Sequence, residues 1–348
     1  MRARALVCRF LTPTPRHYDL QEMPALRHAG YPDRSEHPGV TLKASRVYQM
    51  ALDYIRAAHP HWDRHAGADH IFSMYHDEGA CFAPAGIANA TILTHWGRTT
   101  ERPQSSTTFF MHHWSHDPAY LPALLGGTDR CFRPERDIVM PAYRSPPQLH
   151  RSALLNAHLR RLATQSGGGK LPSHLAATPE EDDNEDEGES RQHQPPKPPL
   201  FVLFRGAIRP DSPEYSFGIR HELFALLKER EAEGIVFSEG TSPDYRWELS
   251  HATFCLVLPG DGWSARLEDA VTNGCVPVII QDEVLVALEG WLDVAKFSLR
   301  VARKDIPRLM HILRAVPHHE VARLKAGVGC RCVRPTSLSP PLQFIPPL

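Results

Sequence analysis

Between Phe254 and Ile280 the sequence reads FCLVLPGDGWSARLEDAVTNGCVPVII. An apolar run enters a loop carrying Pro259, Gly260, Asp261 and Gly262, a helix starts near Ser264, and a second apolar run follows. The residue types suit an anionic ligand. Glycines let a backbone approach closely, and Ser264 can cap a helix whose free N–H groups would receive a phosphate. Arg266 offers a fork of donors to phosphate oxygens, and Glu268 can accept from ribose hydroxyls. Together they describe a diphosphonucleoside site. A plainer reading is also open, in which Ser264 is only a cap, Arg266 pairs with Glu268 or Asp269 on the surface, and the glycines only make a turn.

Other chemistries fit less well. Neither a Walker A loop nor a GxGxxG loop is present, so a nucleotide-sugar epimerase or other dinucleotide oxidoreductase lacks its phosphate loop. Residues 262–266 approach a nucleophile elbow, but Arg266 stands where the final glycine must pack against the helix. Of the 21 histidines, His61 and His65 lie at helical spacing and His112, His113 and His116 cluster, yet no Cys or carboxylate at ligand spacing completes a zinc set. Cys330 and Cys332 are too close for ordinary zinc spacing. No metal is assigned, and a requirement for a divalent ion stays open.

These residues need elements to hold them. After residue 200, apolar runs and helical stretches alternate. Phe201–Phe204 reads as a buried strand and Phe217–Glu231 as a helix ended by Gly234, with Ile219, Leu223, Leu226 and Leu227 on one face. Strands follow at Ile235–Phe237, Phe254–Leu258, Val276–Ile280 and Phe297–Val301. Helices are predicted at Asp244–His251, at Ala265–Thr272 closed by Asn273-Gly274, and at Ile306–Val316 with Pro307 in its first turn. Such alternation calls for a parallel sheet with helices on both faces. The first half is less regular, with a helix at Ala44–Ala58 and short strands at His70–Tyr75, Thr91–Leu93 and Ile138–Met140.

The organisation read from this is a poorly defined segment over 1–43, a partial α/β domain over 44–150, and a linker over 151–199. A Rossmann-like domain then spans 200–320, and a loose tail 321–348. The linker carries EEDDNEDEGE followed by a Pro-rich stretch, a composition that cannot build a core. With 39 Lys+Arg against 40 Asp+Glu there is no global field to draw nucleic acid. Seven Cys, an odd number, leave at least one unpaired and do not define a redox compartment. MRARALVCRF is basic, but LTPTPRHYDL breaks the apolar run a signal peptide needs, and no apolar stretch is long enough to span a bilayer.

The run from Thr253 to Asp282, with Leu292–Val301 and Asp305–Leu313, closely resembles the donor-binding half of the exostosin family of glycosyltransferases. There a Ser-x-Phe-Cys-Leu strand leads into Pro-x-Gly-Asp, a helix bearing Arg and Glu, and Gly-Cys-x-Pro-Val. Thr253-Phe254-Cys255-Leu256, Pro259-Gly260-Asp261, Arg266 with Glu268, and Gly274-Cys275-Val276-Pro277-Val278 stand at those places. Phe204-Arg205-Gly206-Ala207-Ile208-Arg209-Pro210 and Tyr215 to Arg220 look like the same family's upstream strand, loop and helix. Pro60 to Arg64, Asp69 to Phe72, His76-Asp77-Glu78-Gly79 and Asp137 to Pro141 extend the resemblance into the first half.

The resemblance implies an α/β fold of GT-B type: two Rossmann-like domains facing a cleft, the first incomplete here. It implies a UDP-sugar as donor substrate with no tightly bound cofactor, a glycan or glycoprotein acceptor, and inversion at the anomeric carbon. It further implies a Golgi location and association with other glycosyltransferases. The candidate base is Asp77, with His76 or Glu78 as alternatives. Arg205, Arg209, Arg220 and Arg266 are candidates for the diphosphate, Arg205 and Arg209 weighing more than Arg220 because they follow a strand end. Because the opening of the acceptor half is not recognisable, the alternative is a catalytically inactive relative that binds or stabilises an active transferase.

Overall fold

The computed structural model describes residues 39–75, 80, 83–99, 132–143, 154, 199–213 and 215–333. The expected base Asp77 with His76 and Glu78, the cluster His112, His113 and His116, and the acidic run of the linker all lie outside the described residues. Two compact units divide the chain, the first comprising Met1–Ser105 and Phe110–Ile138 and the second Ser106–Phe109 and Val139–Leu348.

The described part of the first unit opens on helix α1, Gly39–Ala58. It begins five residues before the expected start at Ala44, because a long helix tolerates the modest propensity of β-branched Val40 and Thr41 in its first turn. Strands β1 (Ile71–Met74) and β2 (Thr91–Thr94) pair in parallel, and β3 (Ile138–Val139) completes a three-stranded sheet of order β1-β2-β3. Alternation along β1 and β2 turns Phe72, Met74 and Ile92 inward with Leu52 and Trp62. Asp137 ties this unit together. Its buried carboxylate accepts from the Ile92 and Arg133 amides and from the Arg133 guanidinium. Four donors on one carboxylate offset the cost of burying its charge.

The second unit is a five-stranded parallel sheet. Its strands are β4 (Leu200–Arg205), β5 (Ile235–Ser238), β6 (Ala252–Val257), β7 (Val276–Ile279) and β8 (Leu299–Arg300), in the order β8-β7-β6-β4-β5. Helices α2 (Ile219–Leu227), α3 (Tyr245–His251), α4 (Arg266–Asn273), α5 (Leu309–Arg314) and α6 (His318–Val333) cover it. Period-two alternation sorts the core onto two faces. Val202, Phe204, Phe254, Leu256, Val276 and Val278 meet Leu223 of α2 and Leu309 of α5 on one side. On the other, Leu203 and Cys255 meet Leu249 of α3 and Ala270 of α4, while Val257 and Ile279 meet Leu267. With both faces buried, the strands read as continuous apolar runs, as a parallel sheet requires. The chain is therefore α/β.

Three expectations are corrected. The helix read as Phe217–Glu231 ends at Leu227, and Gly234 instead closes a short 3-10 turn at Glu231–Glu233. Ile306–Val316 is split: Pro307 lies in a 3-10 stretch, Arg303–Arg308, and α5 starts only at Leu309. The tail read as loose from 321 is helical to Val333, with Leu324 and Val328 buried in the core. Gly327 allows that helix to approach the chain at Lys296. A Cβ at Gly327 would stand 2.1 Å from the Lys296 carbonyl oxygen.

Candidate functional site

The sheet changes its direction of winding between β4 and β6, since β5 lies on one side of β4 while β6, β7 and β8 extend on the other. Connections leave these two strands in opposite directions, and in open parallel sheets the crevice beyond the carboxyl ends at such a point is the usual ligand position. Strand β4 delivers Arg205 and Gly206 to this place. Strand β6 delivers the loop Pro259-Gly260-Asp261-Gly262.

Two guanidinium groups are built into the crevice. Arg220, in the first turn of α2, is 2% exposed. Its Nε donates to the Pro259 carbonyl at 2.9 Å, and its Nη1 to the Ala207 carbonyl at 2.7 Å and the Tyr215 hydroxyl at 2.9 Å. Arg266, at the start of α4, donates from Nε and Nη2 to the carbonyl of Arg205, at 3.2 and 2.7 Å. The Phe204 ring lies beneath both, with its centroid 5.2 Å from Cζ of Arg220 and 4.8 Å from Cζ of Arg266. Every partner is a neutral acceptor or a ring face; among the described residues neither group is ion-paired to a carboxylate.

Burial, and after it the charge of Arg266, brings the pKa of Arg220 down to about 10, while Asp261 pulls in the opposite direction. At neutral pH the group still carries its charge. Two guanidinium groups held by neutral acceptors over one ring face are a setting in which an added negative charge lowers the cost of burying them.

The loops around the crevice are held in sparsely populated conformations. Arg209, Ser216 and Phe217 have φ of 53°, 59° and 55°, the left-handed region that L side chains rarely adopt. Each costs on the order of 1–3 kcal/mol, and such outliers concentrate where a binding surface must be fixed in advance. The buried Ser216 hydroxyl donates to the Pro259 carbonyl at 2.8 Å, the same oxygen that accepts from Arg220. Gly260 N–H bonds the Gly262 carbonyl at 2.9 Å and closes the turn between them.

The remaining candidates take more varied places. Arg209 is paired with Asp261 at 2.8 Å and half exposed, with its Cζ 4.3 Å over the Tyr215 ring. Arg205, ranked above Arg220 from the sequence, has its guanidinium occupied by Glu248, at 2.5 and 2.7 Å, and only its backbone carbonyl faces Arg266. Ser264 does not cap α4. The N-cap is Ala265, and the Ser264 hydroxyl donates to the Leu258 carbonyl at 2.6 Å, fastening the loop back onto the strand end. Arg266 pairs with neither Glu268 nor Asp269, so the plainer surface reading of that residue does not hold. Glu268 is nearly buried, and its Oε1 accepts from the Ala142 amide at 2.8 Å.

Tyr215 and Glu248 were missed. Tyr215 sits inside the stretch that resembles the exostosin family, and its signal was an aromatic ring five residues before Arg220. Glu248 reads as an ordinary surface residue of a short helix, and only the fold brings it to β4.

No described helix is long and apolar enough to cross a membrane, and no group of three or more metal-ligating side chains converges among the described residues. Cys255 and Cys275, which spacing alone did not pair, form a buried disulfide between β6 and the start of β7.

Comparison with known proteins bears on what this crevice serves. A probable glucuronosyltransferase of Oryza sativa subsp. japonica is 27% identical over 297 residues, covering 82% of this chain and 56% of that protein. A probable beta-1,4-xylosyltransferase of Arabidopsis thaliana is 28% identical over 294 residues, covering 81% of this chain and 55% of its own length. The chain thus spans little more than half the length of the curated relatives it matches. A sequence model of the exostosin GT47 domain matches residues 25–316 and takes in both the first unit and the crevice of the second. With that match running through β4, the 259–262 loop and α4, the chain belongs to the exostosin GT47 family.

Proposed function

We propose that the chain is an inverting glycosyltransferase that takes a sugar from a UDP-sugar and passes it to a hydroxyl of a glycan or glycoprotein. The observation that carries this reading is the pair Arg220 and Arg266. Both guanidinium groups are fixed by neutral acceptors at the point where the sheet reverses, and neither is ion-paired to a described carboxylate. A diphosphate supplies the missing negative charge. The N-terminus of α4 adds backbone dipoles of the same sign. Glu268 accepts from the ribose, and Arg209 with Asp261 borders the phosphates.

In the reaction the acceptor oxygen attacks the anomeric carbon, the bond from that carbon to the diphosphate oxygen breaks, and UDP departs with the electron pair. Asp77 takes the acceptor proton, with His76 or Glu78 as its alternatives. Charge grows on the leaving diphosphate, so Arg220 and Arg266 stabilise the transition state more than the ground state. The positive charge comes from side chains, and the reaction so written calls for no divalent ion.

The names of the plant relatives point to UDP-glucuronate or UDP-xylose as donor and to polysaccharide biosynthesis as the setting. The family implies a GT-B pairing of two Rossmann-like domains, association with other glycosyltransferases and work in the Golgi lumen. The buried Cys255–Cys275 disulfide fits an oxidising compartment.

A thermal-shift comparison of UDP, GDP, UDP-glucuronate, UDP-xylose and UDP-galactose tests the reading, since a ligand that binds only the folded form raises its melting temperature. UDP and at least one UDP-sugar are expected to raise it. No shift from folded protein would favour the inactive, partner-binding relative.

A further inference from the structure

We propose that Glu248 is a positioning residue for the donor diphosphate, acting through the backbone of Arg205 on the guanidinium of Arg266. The ligand part of this inference rests on the donor-site reading above; the positioning part stands on geometry alone.

Strand β4 ends at Arg205, and its last registered pair on the β5 side is Arg205 with Ser238. On the β6 side the register runs only to Leu203 with Cys255, two residues earlier. The Arg205 carbonyl thus lies past the ladder on the side where Arg266 approaches, and it accepts both Nε and Nη2 of Arg266. A carbonyl that orients a catalytic guanidinium must itself be held still, and here the holding is done by the side chain of the same residue.

The Arg205 guanidinium is clamped at every reachable edge. Nε and Nη2 donate to the two oxygens of Glu248 at 2.5 and 2.7 Å, and Nη1 donates to the Ser238 hydroxyl at 2.7 Å. Glu248 is 8% exposed and also accepts from the Ser242 hydroxyl at 3.2 Å. This bidentate pair is partly shielded from water, the setting in which such pairs hold geometry best.

The next residue completes the seat. A Cβ on Gly206 would stand 1.8 Å from Nη2 of Arg266, so only glycine leaves room for the guanidinium over the Phe204 ring. Phe204, Arg205 and Gly206 therefore present a ring, a carbonyl and an empty space to one side chain, and Glu248 fixes the middle one. Because Glu248 neutralises Arg205 rather than Arg266, the clamp orients a cation at the crevice without cancelling its charge.

The test is a double-mutant cycle read by calorimetry with UDP and with uridine, which lacks the diphosphate. Glu248→Gln should weaken UDP by about tenfold, leave uridine unchanged, and add nothing further in an Arg266→Ala background. Unchanged or tighter UDP binding, an equal loss for uridine, or full additivity with Arg266→Ala would each overturn the proposal. If Glu248→Gln fails to fold, the apolar pair Arg205→Met with Glu248→Met replaces the clamp while keeping the Arg205 carbonyl, and the same losses are expected. The Nε–H resonance of Arg266, assigned by its disappearance in Arg266→Lys, gives a second readout that needs no ligand. Glu248→Gln should broaden or shift it and leave the Arg220 resonance in place; an unmoved Arg266 signal overturns the clamp. Should wild-type protein bind no UDP, the donor-site reading falls, and the Arg266 resonance still decides whether Glu248 positions it.

Discussion

The Tyr48 hydroxyl on α1 donates to the Ser73 carbonyl of β1, and burial, with the charge of Tyr75 behind it, pushes its pKa up to about 12. An unfolded tyrosine ionises near 10, so between these values the unfolded chain binds fewer protons and stability falls as pH rises. Tyr48 therefore contributes fully below pH 10 and loses about 2–3 kcal/mol of that contribution by pH 12. At pH 8, Tyr48→Phe should cost about 1 kcal/mol through the lost hydrogen bond, and by pH 12 the variant should be the more stable of the two. Urea midpoints at both values check the crossover; parallel curves would show that Tyr48 does not ionise late. Arg220 has the opposite sign, because its folded pKa of about 10 lies below its ordinary value and its burial penalty eases as pH rises. At this scale the candidate donors were legible as residue types near glycines. Their availability was not, because Arg205 is engaged by a carboxylate 43 residues away and Ser264 turns to a strand-end carbonyl.

Among the elements, β6 and β7 carry a covalent cross-link of the second unit. Cys255 lies in the run FCLVL and Cys275 opens CVPVII, and parallel pairing of β6 with β7 brings them together across a separation of 20 residues. Closing a loop of that length removes unfolded-chain entropy worth about 3 kcal/mol on the chain-entropy account. Replacing both cysteines by alanine should lower the urea unfolding free energy by roughly that amount. Reducing agent should bring the wild type down to the variant, and a loss below about 1 kcal/mol would argue that the bridge is not closed in solution. The central strands β4, β6 and β7 were readable because each is an apolar run largely buried on both faces. Helix ends were not. Leu324 and Val328 lie one helical turn apart on one face of α6, yet so few periodic apolar residues, followed by a Pro-rich stretch, read as a tail. Single-sequence patterning counts a glycine as a break, whereas at Gly327 it is the condition for close packing.

At the level of the whole molecule, the division of labour read from the sequence can be separated by experiment. The alternation of strands and helices after residue 200 identified the parallel sheet and placed Arg266 at its carboxyl edge. The first unit offered only short strands, and its Asp77 was named from resemblance to the exostosin family rather than from any pattern of its own. The two assignments make different demands. In the proposed reaction Arg220 and Arg266 would act on the donor whether or not transfer follows, whereas Asp77 would act only on the acceptor proton. Asp77→Asn keeps the size of the side chain and removes its basicity, so it should lower transfer by at least about a hundredfold, the usual scale for losing a general base. UDP affinity should stay within about twofold of wild type, since no interaction with the diphosphate is touched. Transfer from the preferred UDP-sugar and calorimetric UDP binding, measured on the same preparation, give the two numbers. Retained transfer would move the base to His76 or Glu78. Loss of UDP binding together with transfer would mean that Asp77 supports the fold or the donor, and the separation of donor and acceptor roles between the two units would be wrong.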